Sequence, residues 1–335
     1  MSRRRLLTVL SWVAAVALPA AACGQDVPAL SGPAFTDPGE VYDALPSGWN
    51  ERPLQHPQWA EGADLAVTVD QQLYPLLKPW IAEYAGREGL RIAVDRGTCG
   101  ISAGALNRQE VDVGGFCCPP SPTDRLPGLR FHTLGIGALA LFVHPDNPVD
   151  DLTLEEARRI YRGEIRRWSE IDPSAPDRLI HPVARLHCKA RPGHWRLVLD
   201  NEDLFSVRLR EVGSIPDMFS VVTSDPAALG YETLWMVHRE RDQGAVQVVT
   251  VDGEDPADAE AVAAHRYPLY RTFNVTTWTA PARRNDEARD LVQYLYKRME
   301  QAGPRAPYHL VPAHLLRENG WQFAGEELIG EPVGR

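Results

Sequence analysis

The sequence lacks any stretch long and apolar enough to span a bilayer, which takes about 20 residues. Its one strongly apolar run, Leu6 to Leu18, falls short of that and sits at the extreme N-terminus. Basic residues are not in excess either: 35 Lys and Arg stand against 45 Asp and Glu, a formal charge of −10, which argues against nucleic acid as a partner. An anionic ligand stays open, because a local pocket of amide donors and one arginine outweighs a distant net charge. No His-Glu-x-x-His helix and no Cys-x-x-Cys pair occur, and no serine nucleophile elbow is expected, so an enzyme is disfavoured. Internal repeats are not evident. Cysteine is scarce, with five in 335 residues.

The N-terminus carries a secretory pattern over residues 1–22. Arg3, Arg4 and Arg5 precede the short apolar run, and Ala20, Ala21 and Ala22 offer a small-residue cleavage site. The expectation is an exported protein, periplasmic or on the outer face of the membrane. Ser2 to Leu7 is close to a twin-arginine signal, and an ordinary Sec signal fits as well. Cys23 stands where a lipoprotein carries its acylated cysteine, although Ala20 replaces the usual lipobox leucine; a lipid anchor and plain cleavage both remain open. Residues 23–63 are rich in Pro, Gly and polar side chains and show no period, as in a tether or a surface-hugging extension.

Regular structure is expected from Leu65 onward. The run Leu65 to Val69 is apolar and β-branched like a buried strand, and Leu76, Leu77, Trp80, Ile81 and Tyr84 then recur at helical spacing. Arg91 to Asp95 reads as a second strand, Ile101 to Leu106 as a second helix and Val111 to Gly115 as a third strand. That alternation implies a parallel sheet with both faces covered, hence an α/β fold. Leu139 to Val143 is a further strand. Thr153 and Glu156 form a capping box for a helix that Gly163 ends, and Asn285 caps a last long helix reaching about Ala302.

Four ordered segments resemble the phosphate-type (class II) periplasmic solute-binding proteins of bacterial ABC importers. These are Val111 to Gly115 followed by Cys117-Cys118-Pro119, the stretch Val143 to Val149 with Leu152 to Glu155 and Ile160 to Trp168, the turn Asp225 to Tyr231, and the return Tyr267-Pro268-Leu269-Tyr270-Arg271. The resemblance covers about Leu65 to Trp321. It implies a two-lobed periplasmic-binding-protein type II fold, each lobe a mainly parallel sheet flanked by helices, joined by two crossover strands near Val143 to Val149 and Tyr267 to Thr276. Lobe one would comprise residues 64–145 and 270–335, lobe two residues 146–269. A small solute would lie in the interlobe cleft, a membrane permease would be the partner, and no cofactor is implied.

Ligand sites in open α/β sheets form beyond the carboxyl ends of the strands, where helix N-termini present unpaired amides. The loop Arg96 to Ser102 fits that description, and the family has a glycine- and serine-rich anion loop there, so Thr98, Gly100 and Ser102 are candidate donors; capping of the helix is compatible with that role. Arg185 matches the family's anion-pairing arginine. Two segments depart from the family pattern. Phe116 and Cys117, followed by Cys118, replace a serine and an acidic residue, and Arg185 to His194 occupies the region of an arginine followed by a Gly-Ser-Gly-Thr helix start, whose donors have no clear equivalents here. Cys99, Cys117, Cys118 and Cys188 thus all fall in cleft segments. Disulfides between adjacent loops, a soft metal or metalloid site assisted by His187 or His194, and a redox role for the vicinal pair are the open readings. His132, His144, His181 and His265 read as surface or structural residues.

Overall fold

The computed structural model describes residues 35–186, 199, 204–305 and 308–333. Its first unit is the expected alternation: β1 (Leu65–Asp70), α1 (Tyr74–Glu88), β2 (Ile92–Gly97), α2 (Cys99–Asn107) and β3 (Val113–Phe116). β1 runs parallel to both β2 and β3, in a register that sets Asp70 beside Gly97 and Val69 beside Gly115. Every residue of β1 is buried, as a strand with neighbours on both edges and helices over its faces requires.

The next strand is longer than its sequence pattern suggests. β4 (Leu129–Val143) runs through both halves of the molecule, and β5 (Asp151–Leu152) and α3 (Leu154–Arg162) follow it. The capping box of α3 is present: Thr153 Oγ1 accepts from Glu156 N at 3.1 Å, and Glu156 Oε2 accepts from Thr153 N at 2.8 Å. Gly163 closes the helix at φ 79°, in the left-handed region that favours glycine. The second unit continues with β6 (His181–Ala184), β7 (Arg210–Glu211), α4 (Ile215–Ser224), β8 (Ala228–Thr233), α5 (Leu234–Arg239), β9 (Gln247–Val251) and α6 (Ala259–Ala263). The chain then returns through β10 (Tyr270–Trp278), α7 (Asp286–Ala302, capped by Asn285), β11 (Leu310–Pro312), α8 (Ala313–Glu318), β12 (Gln322–Ala324) and β13 (Glu327–Gly330).

Strand order runs β2-β1-β3-β10-β4-β8-β6-β7. The residues of β4 up to Ala138 pair antiparallel with β10 and β11, whereas Leu139 to Val143 pair with β8 and β9. The exchange of partners, and so the first passage between lobes, falls at Ala138–Leu139, upstream of the segment Val143 to Val149. The return passage lies against it: Leu139 N donates to Leu269 O at 3.0 Å, and the buried Tyr267 hydroxyl donates to Leu139 O at 2.7 Å. β11 fits close to β4 because Gly135 has no side chain. A Cβ there would lie 2.4 Å from Val311 O.

Residues 35–63, which lack periodicity, lie along lobe one through single long-range contacts. Trp49 is buried between Trp278, at 6.1 Å between ring centroids, and the Arg283 guanidinium, 4.6 Å over its ring. Its indole N–H donates to Asn107 O at 2.8 Å. Thr36 accepts from Arg125 Nε at 2.8 Å, and Arg125 in turn pairs with Glu327 at 2.7 Å. Deleting a buried aromatic side chain costs about 3–5 kcal/mol. Trp49→Ala is therefore expected to lower the unfolding free energy by that much, read as a lower urea midpoint at unchanged m value; a loss below about 0.5 kcal/mol would mean that the segment adds nothing to lobe one.

Candidate functional site

Parallel pairing of β1 with β2 and β3 brings three strand ends to one edge of lobe one, and the loops that leave them carry the chemistry. Asp70 ends β1. Its Oδ1 accepts from Gln72 N at 2.7 Å, turning the chain toward α1. Cys99 is the first residue of α2, behind the cap Thr98, whose hydroxyl accepts from Ile101 N at 3.3 Å. Cys117 and Cys118 follow β3.

The three sulfurs lie within 4.8 Å of one another. Cys99 Sγ is 3.4 Å from Cys117 Sγ, Cys117 Sγ is 4.0 Å from Cys118 Sγ, and both separations far exceed a disulfide's 2.03–2.05 Å. Cys117 N donates to Cys99 Sγ at 3.3 Å, and the Cys99 thiol donates to Asp70 Oδ2 at 3.6 Å. From the return strand, Arg271 Nη1 reaches Cys117 Sγ at 3.5 Å, while Asn274 Nδ2 holds Cys118 O at 2.9 Å. Hydrogen bonding with Cys118 first, and with Cys99, holds the Cys117 thiol well below its usual range; burial opposes, and the Arg271 charge assists.

Lobe two faces this edge with a buried ion pair. Arg185, just beyond β6, donates through Nη2 to Glu232 Oε2 of β8 at 2.5 Å, with exposures of 3% and 0%. The other oxygen of Glu232 accepts from Thr233 N at 2.9 Å and from Gln72 Nε2 of lobe one at 2.5 Å. The Gln72 carbonyl oxygens are used too: Oε1 accepts from Thr233 Oγ1 at 2.9 Å, and the main-chain O accepts from Trp235 Nε1 at 3.2 Å. One glutamine of lobe one thus holds three residues of lobe two. Among the described residues, Arg185 Nε and Nη1 and the Tyr231 hydroxyl are buried without a partner. Burial pushes the Tyr231 hydroxyl up to about 12, against the pull of the Arg271 and Arg185 charges.

The sequence matches the PBP superfamily domain over residues 55–298. The chain belongs to the PBP superfamily. The phosphate-binding protein PstS of Bacillus subtilis (strain 168) is 24% identical over 140 residues, which is 42% of this chain and 44% of that protein, so the alignment spans less than half of that relative's length. A putative phosphate ABC transporter substrate-binding protein from Clostridium perfringens, solved with bound phosphate, is similar in fold at a TM-score of 0.64 and 18% identity, covering 74% of this chain and 99% of that one. An ABC-type phosphate transport receptor from Vibrio cholerae matches at 0.58, with 18% identity and the same coverage. These likenesses, with the lobe-to-lobe strand β4, establish the two-lobed PBP fold.

Within this PBP-superfamily fold, Cys99, Cys117 and Cys118 come together as one cluster, and Arg185 pairs with Glu232, which Gln72 ties to lobe one. Thr98 caps α2. Gly100 is exposed, and Ser102 is buried in the first turns of the helix. His187, Cys188 and His194 lie outside the described residues. Gly100-Ile101-Ser102-Ala103-Gly104 spells the letters of a nucleophile elbow, yet Ser102 N donates to Thr98 O as an ordinary helical bond at 3.0 Å, whereas an elbow serine sits on the strand-to-helix turn itself. Asp70, Gln72, Glu232 and Arg271 were not candidates from the sequence. The available signal was charge at the end of a buried run: Asp70 closes Leu65 to Val69, and Glu232 follows Ala228 to Tyr231. A 710 Å³ cavity elsewhere, bordered by Glu40, Arg125, Arg130 and Glu326, belongs to the N-terminal segment's seat on lobe one.

A thiol whose folded pKa lies below its unfolded value of about 8.5 adds stability that is complete above that pH and is lost as pH falls through the folded value. Ultraviolet absorbance titration is expected to show a thiolate persisting below pH of about 8.5. Arg271→Gln should move its loss to higher pH; an unchanged midpoint would remove Arg271 as a cause.

Proposed function

We propose that this chain is the extracytoplasmic solute-binding component of an ABC-type importer, and that it takes a small phosphate-like oxyanion between its lobes. The observation that carries this reading is Arg185, a buried guanidinium that spends one nitrogen on Glu232 and has Nε and Nη1 without partners among the described residues. Those two nitrogens lie on different sides of the planar guanidinium, and each is a charged donor able to give an oxyanion a charge-assisted hydrogen bond. Tyr231 adds a buried hydroxyl under the influence of both Arg185 and Arg271. Arg271, in contact with Cys117 at 3.5 Å, adds a second positive charge that acts on that hydroxyl.

Family membership and the similarity to phosphate receptors agree with this chemistry. Binding would begin on one open lobe and finish by closure, with Gln72 joining Glu232 and Thr233 across the shut cleft, before transfer to a membrane permease. A thiol–disulfide oxidoreductase fits less well, because such an enzyme presents an accessible attacking thiol and Cys99, Cys117 and Cys118 are at most 3% exposed.

Calorimetry and thermal shift with phosphate, sulfate and molybdate, in reductant, test the reading. Phosphate is expected to bind and raise the melting temperature. Arg185→Ala should weaken it by roughly 10- to 150-fold, the equivalent of losing about 1.5–3 kcal/mol of charged hydrogen bonding. Failure of all three ions to bind, or wild-type affinity in Arg185→Ala, would end it.

A further inference from the structure

The oxyanion reading leaves the sulfur cluster unused. Three thiols converge from two loops, each 3% exposed or less, on the lobe-one side of the cleft. Metal–sulfur bonds of about 2.3 Å put two sulfurs on a common ion about 3.8 Å apart in tetrahedral and about 4.0 Å apart in trigonal coordination. The observed 3.4 Å and 4.0 Å bracket those values, and the third pair lies within 4.8 Å. Shifts of a few tenths of an ångström in the two measured pairs would give a common centre.

The cluster is held as a binding site has to be. Cys99 is fixed at the start of α2, the Cys117 amide is bonded to the Cys99 sulfur, and Asn274 fixes the Cys118 carbonyl. Arg271 beside Cys117 offsets part of the negative charge that three thiolates bring. Among the described residues, no histidine or carboxylate joins the three sulfurs within the same 4.8 Å sphere. Asp70 accepts from the Cys99 thiol at 3.6 Å, as an outer-shell partner. Among the described residues, the set is three sulfurs, which selects by softness.

We propose that Cys99, Cys117 and Cys118 form a three-sulfur site for one soft ion that accepts trigonal thiolate coordination, the chemistry shared by monovalent copper and trivalent arsenic. No electrons move on loading. Copper(I) replaces the thiol protons, which pass to solvent; arsenous acid, As(OH)3, exchanges its three hydroxyls for three sulfurs, and the thiol protons leave with them as three waters. Loading proceeds from the open form, since the closed lobes bury all three sulfurs. The site is independent of Arg185, so the oxyanion reading can fail without affecting it.

The test uses the reduced, metal-free full chain under anaerobic conditions, titrated separately with chelator-buffered copper(I) and with arsenite. One equivalent of at least one ion is expected, and X-ray absorption at its edge should read three sulfur neighbours at about 2.3 Å; the arm that binds more tightly identifies the ion. Cys117→Ser should weaken uptake by more than roughly 100-fold, beyond the 10- to 100-fold lost with an outer-shell partner, and Cys188→Ser should leave it unchanged. If the serine variant does not fold, the sulfur count of the wild-type protein still decides. No stoichiometric uptake of either ion, fewer than three sulfur neighbours, or uptake that survives Cys99→Ser and vanishes in Cys188→Ser would overturn the proposal.

Discussion

The arrangement of the cleft depends on one buried carboxylate. Glu232 has no contact with solvent, so both of its oxygens must find donors inside the protein. Arg185 and the Thr233 amide come from its own lobe, and Gln72 comes from the other. A buried charge that loses a partner costs several kcal/mol unless something replaces it. Opening the cleft removes Gln72 from Glu232, and water has to take its place. The hinge is thereby coupled to the solvation of a single side chain.

Lobe one meets this charge with a different chemistry. Parallel strands end at one edge, so three loops that are far apart in sequence share a small volume. In this chain that volume holds thiols and Asp70. Arg271 connects the two sides, in contact with Cys117 and close enough to Tyr231 to act on its hydroxyl. The fold therefore supplies the geometry of a solute receptor, while its lining residues set which solute is held.

Local features of this architecture were legible in the sequence because local interactions make them. The Thr153 capping box, the Gly163 stop and the Asn285 cap each depend on residues within a few positions. The lobe-one alternation was legible for the same reason. β4 was read only from Leu139 onward, because Gly135 and Gly137 interrupt the apolar pattern of its first part, and those glycines are explained by β11 and Phe273 packing against them. The segment around Trp49 has no period at all, since single contacts to Trp278, Arg283 and Asn107 hold it in place. Convergence of Cys99, Cys117 and Cys118 followed from the expected topology. Gln72 and Glu232 could not be found that way, because their significance lies in a contact across 160 residues of chain.

Small-angle scattering of the reduced protein, phosphate-free and then saturated with phosphate, tests most directly that two hinged lobes close over a shared site. The account predicts a smaller radius of gyration with phosphate bound, as an open population shifts to the shut form held by Gln72. Superimposable scattering curves at saturating phosphate would contradict it.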